Sequence, residues 1–122
     1  MSGARMPDPP SIEVLHLRPE VTLVVLRGEH DLASAPDLKQ TLDKNLAGCS
    51  QLIVDLSGAE YIDSSTIAAL VGAKQQADRT DRRFNVVLGA APIVERILEI
   101  TNVASTLNRV ASVEAALSAH VA

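Results

Sequence analysis

Leu52-Ile53-Val54-Asp55-Leu56, then Ser57-Gly58-Ala59-Glu60, then Tyr61-Ile62-Asp63-Ser64-Ser65, then the run from Thr66 to Ala77: this span decides the fold. Its first five residues are almost continuously apolar between polar flanks, the pattern of a strand buried on both faces. From Thr66 to Ala77 the chain is rich in Ile, Leu, Val and Ala, with little polar face before Lys74-Gln75-Gln76. That run reads as a helix whose first half is deeply packed. A central strand leading into a buried helix is a unit of a parallel sheet with helical crossovers.

Upstream, Ile12 to Leu17 and Val21 to Leu26 are apolar runs separated by Arg18-Pro19-Glu20, which predicts a hairpin whose second strand ends at Gly28-Glu29-His30-Asp31. Ser34 is placed to cap a helix with Pro36 and Asp37 in its first turn, Leu38, Leu42 and Leu46 on its apolar face, and Gly48 as its stop. Downstream, the charged residues Asp78 to Arg83 read as a loop and Phe84 to Leu88 as a buried strand. Pro92 then opens a third helix bearing Ile93, Val94, Ile97, Leu98 and Ile100 and ending near Thr101-Asn102. Leu107 to Val110 reads as a short last strand. Ser112 caps a terminal helix, Val113 to His120, with Val113, Ala116, Leu117 and Val121 as its stripe. The order predicts an α/β fold in two layers, a mixed sheet of about five strands with about four helices mainly on one face. Met1 to Pro10, with three prolines and little to bury, reads as a disordered leader, and residues 11–122 as a single domain.

Composition narrows the function. One Phe, one Tyr and no Trp in 122 residues leave no aromatic platform for stacking bases, and a net charge of -4 is the wrong sign for a phosphate backbone. Direct nucleic-acid binding is not expected. The single cysteine, Cys49, rules out an intrachain disulfide and reads as inert. No Cys/His cluster has metal-ligand spacing, so neither a metal nor another cofactor is expected. With no apolar run of about 18 residues and no signal-peptide pattern, the expectation is a cytoplasmic protein that does not insert in a membrane.

Asp63-Ser64-Ser65-Thr66 is the segment with chemical content: a carboxylate and three hydroxyls where the chain passes into a helix. Free N-H groups at a helix start attract anions, so a phosphate fits there. An ordinary N-cap accounts for the same residues, contributing about 1 kcal/mol. Elsewhere His30, between Glu29 and Asp31, reads as part of an exposed turn, and His16 and His120 lack convergent partners. With no glycine-rich phosphate loop and no nucleophile elbow, an enzyme is not expected.

From about Ile12 to Leu117 the chain resembles the STAS family, named for sulfate transporters and anti-sigma-factor antagonists. The resemblance rests on Val24 to Asp31 with its Gly28-Glu29-His30-Asp31 turn, Leu52 to Leu56, the Asp63-Ser64-Ser65 step, and Val86-Val87-Leu88 followed by Pro92 and Val94. It implies an anti-sigma-factor antagonist whose partner is an anti-sigma factor with serine kinase activity. The partner-binding residues implied are Asp31, Asp63, Ser64, Ser65 and Thr66. Ser64 is the implied phosphoacceptor, with Ser65 and Thr66 as alternatives, and phosphorylation releases the partner. The family commonly follows its serines with Gly-Leu-Gly, whereas this chain has Thr66-Ile67-Ala68, and a β-branched Thr66 is expected to narrow the approach to the helix start. The other reading the resemblance allows is a ligand- or nucleotide-binding regulatory subunit of a transport or sensory assembly.

Overall fold

Two long neighbouring strands organise the molecule, β2 (Val21–His30) and β3 (Gln51–Ile62), paired in parallel from Val21↔Gln51 to His30↔Ile62. The structure, a computed structural model, describes residues 9–89, 92–101 and 106–118. Residues 1–8 of the expected leader lie outside that range, as do residues 102, 120 and 121 and the side chains of Ile93 and Ile100. Around the pair lie β1 (Ser11–Arg18), α1 (Ala35–Leu46), α2 (Ser64–Arg79), β4 (Arg83–Val87), α3 (Pro92–Thr101), β5 (Arg109–Val110) and α4 (Val113–Ser118). The five strands run β1-β2-β3-β4-β5 across the sheet, with β1 antiparallel to β2 and all other pairs parallel. The expected α/β fold, a five-stranded mixed sheet with four helices, is the fold observed.

Three successive crossovers step in one direction across the sheet, so right-handed connection places α1, α2 and α3 on the same face. There Leu38, Leu42 and Leu46 of α1, Ile67, Leu70, Ala73 and Ala77 of α2, and Val94 and Leu98 of α3 meet Leu52, Val54 and Leu56 of β3 in one buried cluster. Each fully buried leucine contributes about 1.5–3 kcal/mol. The alternate residues of the strands, Val21, Leu23, Val25, Ile53 and Val87, form a smaller cluster on the other face, closed by Ala116 of α4. The Ser112 cap occurs as expected, its Oγ accepting from Ala115 N-H at 3.0 Å.

Several boundaries differ from the sequence reading. Ser57 to Glu60 does not break β3, because Ala59 and Ile62 still point into the core and the strand continues beside the extended β2. The two strands absorb register shifts between Val25 and Arg27 and between Gly28 and Glu29. Gly28 there has φ 81°, a backbone only glycine adopts without strain. Asp78 and Arg79 belong to α2, where Lys74 Nζ meets Asp78 Oδ2 at 2.6 Å across one turn. Ser34 stands at the N-cap of α1 but makes no cap bond with its side chain, which is engaged by His30. Gly48 follows the end of α1 without a left-handed φ. Instead, Arg82 closes the turn, its Nε donating to Cys49 O at 2.9 Å.

Candidate functional site

Because His30 and Ile62 are register partners, the residues that follow them, Asp31 and Asp63, leave the sheet side by side from neighbouring strands. The span that decides the fold thereby also builds the site. Asp63 has extended backbone (φ -118°, ψ -174°) and caps α2. Its Oδ1 accepts from Ser65 N at 3.0 Å, Thr66 N at 3.1 Å and Ser65 Oγ at 2.6 Å. Two N-H groups without helical partners are thus satisfied by one carboxylate oxygen. Burial pulls the Asp63 carboxyl upward. The bonds from Ser65 Oγ, the Thr66 and Ser65 N-H groups and the Thr66 hydroxyl outweigh it together, holding the carboxyl below the ordinary carboxylate range.

The three hydroxyls have different fates. Thr66 is fully buried, and its Oγ1 donates to the backbone carbonyl of His30 at 3.0 Å. It therefore lies beneath the helix start and does not narrow the approach from outside, contrary to the expectation from its β-branched shape. Ser65 is half-buried and its hydroxyl is committed to Asp63. Ser64, the first residue of α2, is exposed. Asp31 is exposed as well, with Oδ1 accepting from Ala33 N-H at 3.0 Å, and Leu32 next to it stands 74% exposed.

His30 overturns the expectation of an exposed turn: it is 0% exposed. Its Nε2 faces the carbonyls of Arg27 at 3.0 Å and Ser11 at 3.2 Å, and since carbonyls only accept, Nε2 carries the proton. Its Nδ1 meets Ser34 Oγ at 3.2 Å. Ser34 Oγ shares its one proton between that nitrogen and Asp31 O at 3.2 Å, and accepts from Asp31 N-H at 3.2 Å. His30 therefore ties β1, the start of α1 and, through Thr66, the start of α2 into one support below the patch formed by exposed Asp31 and Ser64 and half-buried Asp63. Sequence reading missed this hub, and the only signal for it was the four-residue spacing of His30 and Ser34.

Other sequence candidates stay apart from this patch. Cys49 is buried against α1 and β3, and burial raises its thiol, outweighing the hydrogen bond with Thr22, the Arg82 charge and the Gln51 N-H. His16 lies on β1, with Nδ1 3.3 Å from Thr22 Oγ1. Among the described residues no group of three His, Cys, Asp or Glu side chains is placed to hold a metal ion, and no helix is long and apolar enough to cross a membrane.

A family profile described as "Mlab, STAS domain" matches residues 14–119. Among solved structures, an anti-sigma factor antagonist from Mycobacterium paratuberculosis superposes with a TM-score of 0.82 at 26% identity, covering 95% of this chain and 97% of that one. The antagonist SpoIIAA in its unphosphorylated form gives 0.74 at 15% identity, over 89% and 95% of the two chains. The Bacillus cell fate determinant SpoIIAA in its phosphorylated form gives 0.68 at 14% identity, over 89% and 98%. No curated protein matches the chain.

Proposed function

Because the chain belongs to the STAS domain family, we propose that it is an anti-sigma-factor antagonist that binds an anti-sigma factor with serine kinase activity and is switched off by phosphorylation of Ser64. The observation that carries the reading is the separation of the three hydroxyls: Thr66 is buried on His30 O, Ser65 is bound to Asp63, and Ser64 alone is exposed at the helix start. A kinase needs a hydroxyl it can reach. Similarity to proteins described as anti-sigma factor antagonists supports the class of partner.

The switch follows from charge. A phosphate adds about -1.5 to -2 charges. Placed on the first residue of α2, those charges face the positive end of the helix dipole, so the fold tolerates them. Asp63 and Asp31 already make the patch acidic, and a partner matched to that patch meets a concentrated negative charge once Ser64 is modified. Like-charge juxtaposition across an interface costs several kcal/mol, and ~1.4 kcal/mol is tenfold in affinity. The protein thus works by binding rather than by turnover, and its regulation needs no change of fold.

The test is calorimetric titration of the anti-sigma factor encoded by the same organism with the parent chain and with Ser64→Asp. The reading expects the variant to bind at least about tenfold more weakly at an unchanged melting temperature. Equal affinity would sink it.

A further inference from the structure

One feature of the surface is not used by the switch: an open groove of about 890 Å³ between α1 and α2, beginning at Ser65. On α2 its lining includes Ser65, Ala68, Gly72, Gln75 and Arg79, at successive intervals of three, four, three and four residues, with Ala69 and Gln76 beside them. On α1 the lining includes Pro36, Lys39 and Asp43, with the same two intervals. Residues at such spacing share one helix face, and two facing seams of this kind leave a trough that a third helix fills. From Ser65 to Arg79 the trough runs about 14 residues, ~21 Å along α2, the length of a helix of roughly four turns. The floor is apolar, and a Cβ added at Gly72 meets nothing within 4 Å, so the groove is vacant space rather than a tightly closed seam.

Charge identifies what kind of helix fits. Lys39 is neutralised by Asp43 at 2.8 Å. Arg79 contacts only the neutral Gln76 Oε1, and Arg82 only the carbonyls of Cys49 and Ala47; neither meets a carboxylate among the described residues. Two guanidinium groups with no carboxylate partner among the described residues thus stand at the far end of the groove, on a chain whose net charge is -4. We infer that the α1/α2 groove is a docking site for an amphipathic helix of the partner protein, its apolar side against Ala68 and Gly72 and its carboxylates against Arg79 and Arg82. The inference deepens the proposed function and rests on it for the partner's class. The groove's start at Ser65 places the docked helix beside Ser64, so that the switch and the docking site are read together.

The test is an NMR titration of the ¹⁵N-labelled full chain with two synthetic amphipathic helices of about 14 residues, identical in their leucine face, one ending in glutamates and the other in lysines. The expected result is saturable shifts at the amides of Gly72, Gln75 and Arg79, with the glutamate peptide binding at least about tenfold tighter than the lysine peptide. Arg79→Glu sets a carboxylate beside Arg82 and abolishes that preference. Gly72→Met, whose Cβ meets nothing within 4 Å, occupies the groove and abolishes binding without lowering the melting temperature. Absence of saturable shifts, shifts confined to other surfaces, or equal affinity for both peptides overturns the inference. So do groove shifts that grow with protein concentration alone, which assign the groove to a second copy, and shifts produced by dodecanoate but by neither peptide, which assign it to an amphiphile. The titration involves no kinase and no phosphate, so its failure leaves the Ser64 switch standing, and failure of the switch leaves the groove's preference measurable.

Discussion

The hydroxyl of Thr66 donates to the backbone carbonyl of His30 at 3.0 Å, linking the first turn of α2 to the last residue of β2 inside the domain. Both residues are 0% exposed, so water cannot replace the bond. Above it lies the patch of exposed Asp31 and Ser64 and half-buried Asp63, which is held in place by what is bonded below.

Thr66→Val keeps the shape and removes the donor. Leaving the His30 carbonyl unsatisfied in the interior costs about 1–3 kcal/mol. Urea denaturation is expected to show a loss of that size with an unchanged m-value, whereas a loss within experimental error contradicts a supporting role for this bond.

His30→Ala removes three hydrogen-bonding contacts and leaves a cavity between β1, β2 and α1. A destabilisation of about 2–4 kcal/mol is expected, among the larger single-site effects in the chain. Amide exchange locates it: protection is lost first at Ser11, Ser34 and the start of α2, and uniform loss across the sheet argues against a local hub.

Asp63 gives a pH signature. Its carboxyl is held below the ordinary range in the folded chain by hydrogen bonds to the charged form, so the unfolded chain binds the proton more readily. The stabilisation is fully present above the unfolded carboxyl's ordinary value and is lost as pH falls through the lower, folded one. Asp63→Asn is expected to flatten the acid limb of stability against pH, and Asp63→Ala to remove about 1 kcal/mol at neutral pH. An acid limb identical in parent and Asp63→Asn removes the carboxylate from the account.

Leu32, 74% exposed beside Asp31, contributes little to folding where it stands. Leu32→Ser is expected to leave the melting temperature unchanged and to weaken the anti-sigma factor complex by about 1 kcal/mol or more, as truncation of an interface apolar contact does. Unchanged affinity places Leu32 outside the interface.

Much of this was legible in the sequence. Leu52 to Leu56, a short apolar run between polar flanks, and the longer apolar run after Asp63 mark a buried strand and a buried helix, and with the segments around them they give the element order, though not the order of strands in the sheet. Asp63 as a cap is a local matter, readable because the carboxylate and the N-H groups it satisfies lie within three residues. Ser57 to Glu60 misled because glycine and serine normally interrupt strands, and nothing local reveals that β2 runs alongside to pair with them. His30 misled for the same reason. Its burial depends on Ser11, 19 residues away, and on Thr66, 36 residues away, and neighbouring charges gave it the look of a surface turn. The groove's lining is periodic in each helix, yet its vacancy exists only once α1 and α2 lie side by side.

We propose Ser64 as the hydroxyl a kinase modifies. The most direct test is to incubate the parent chain and Ser64→Ala with ATP and the anti-sigma factor kinase of the same organism and to map phosphate by mass spectrometry. One phosphate is expected on the parent chain, at Ser64, and none on the variant. Phosphate on Ser65 or Thr66 with Ser64→Ala modified as readily as the parent, or no phosphate on either chain from a kinase proven active, would contradict it.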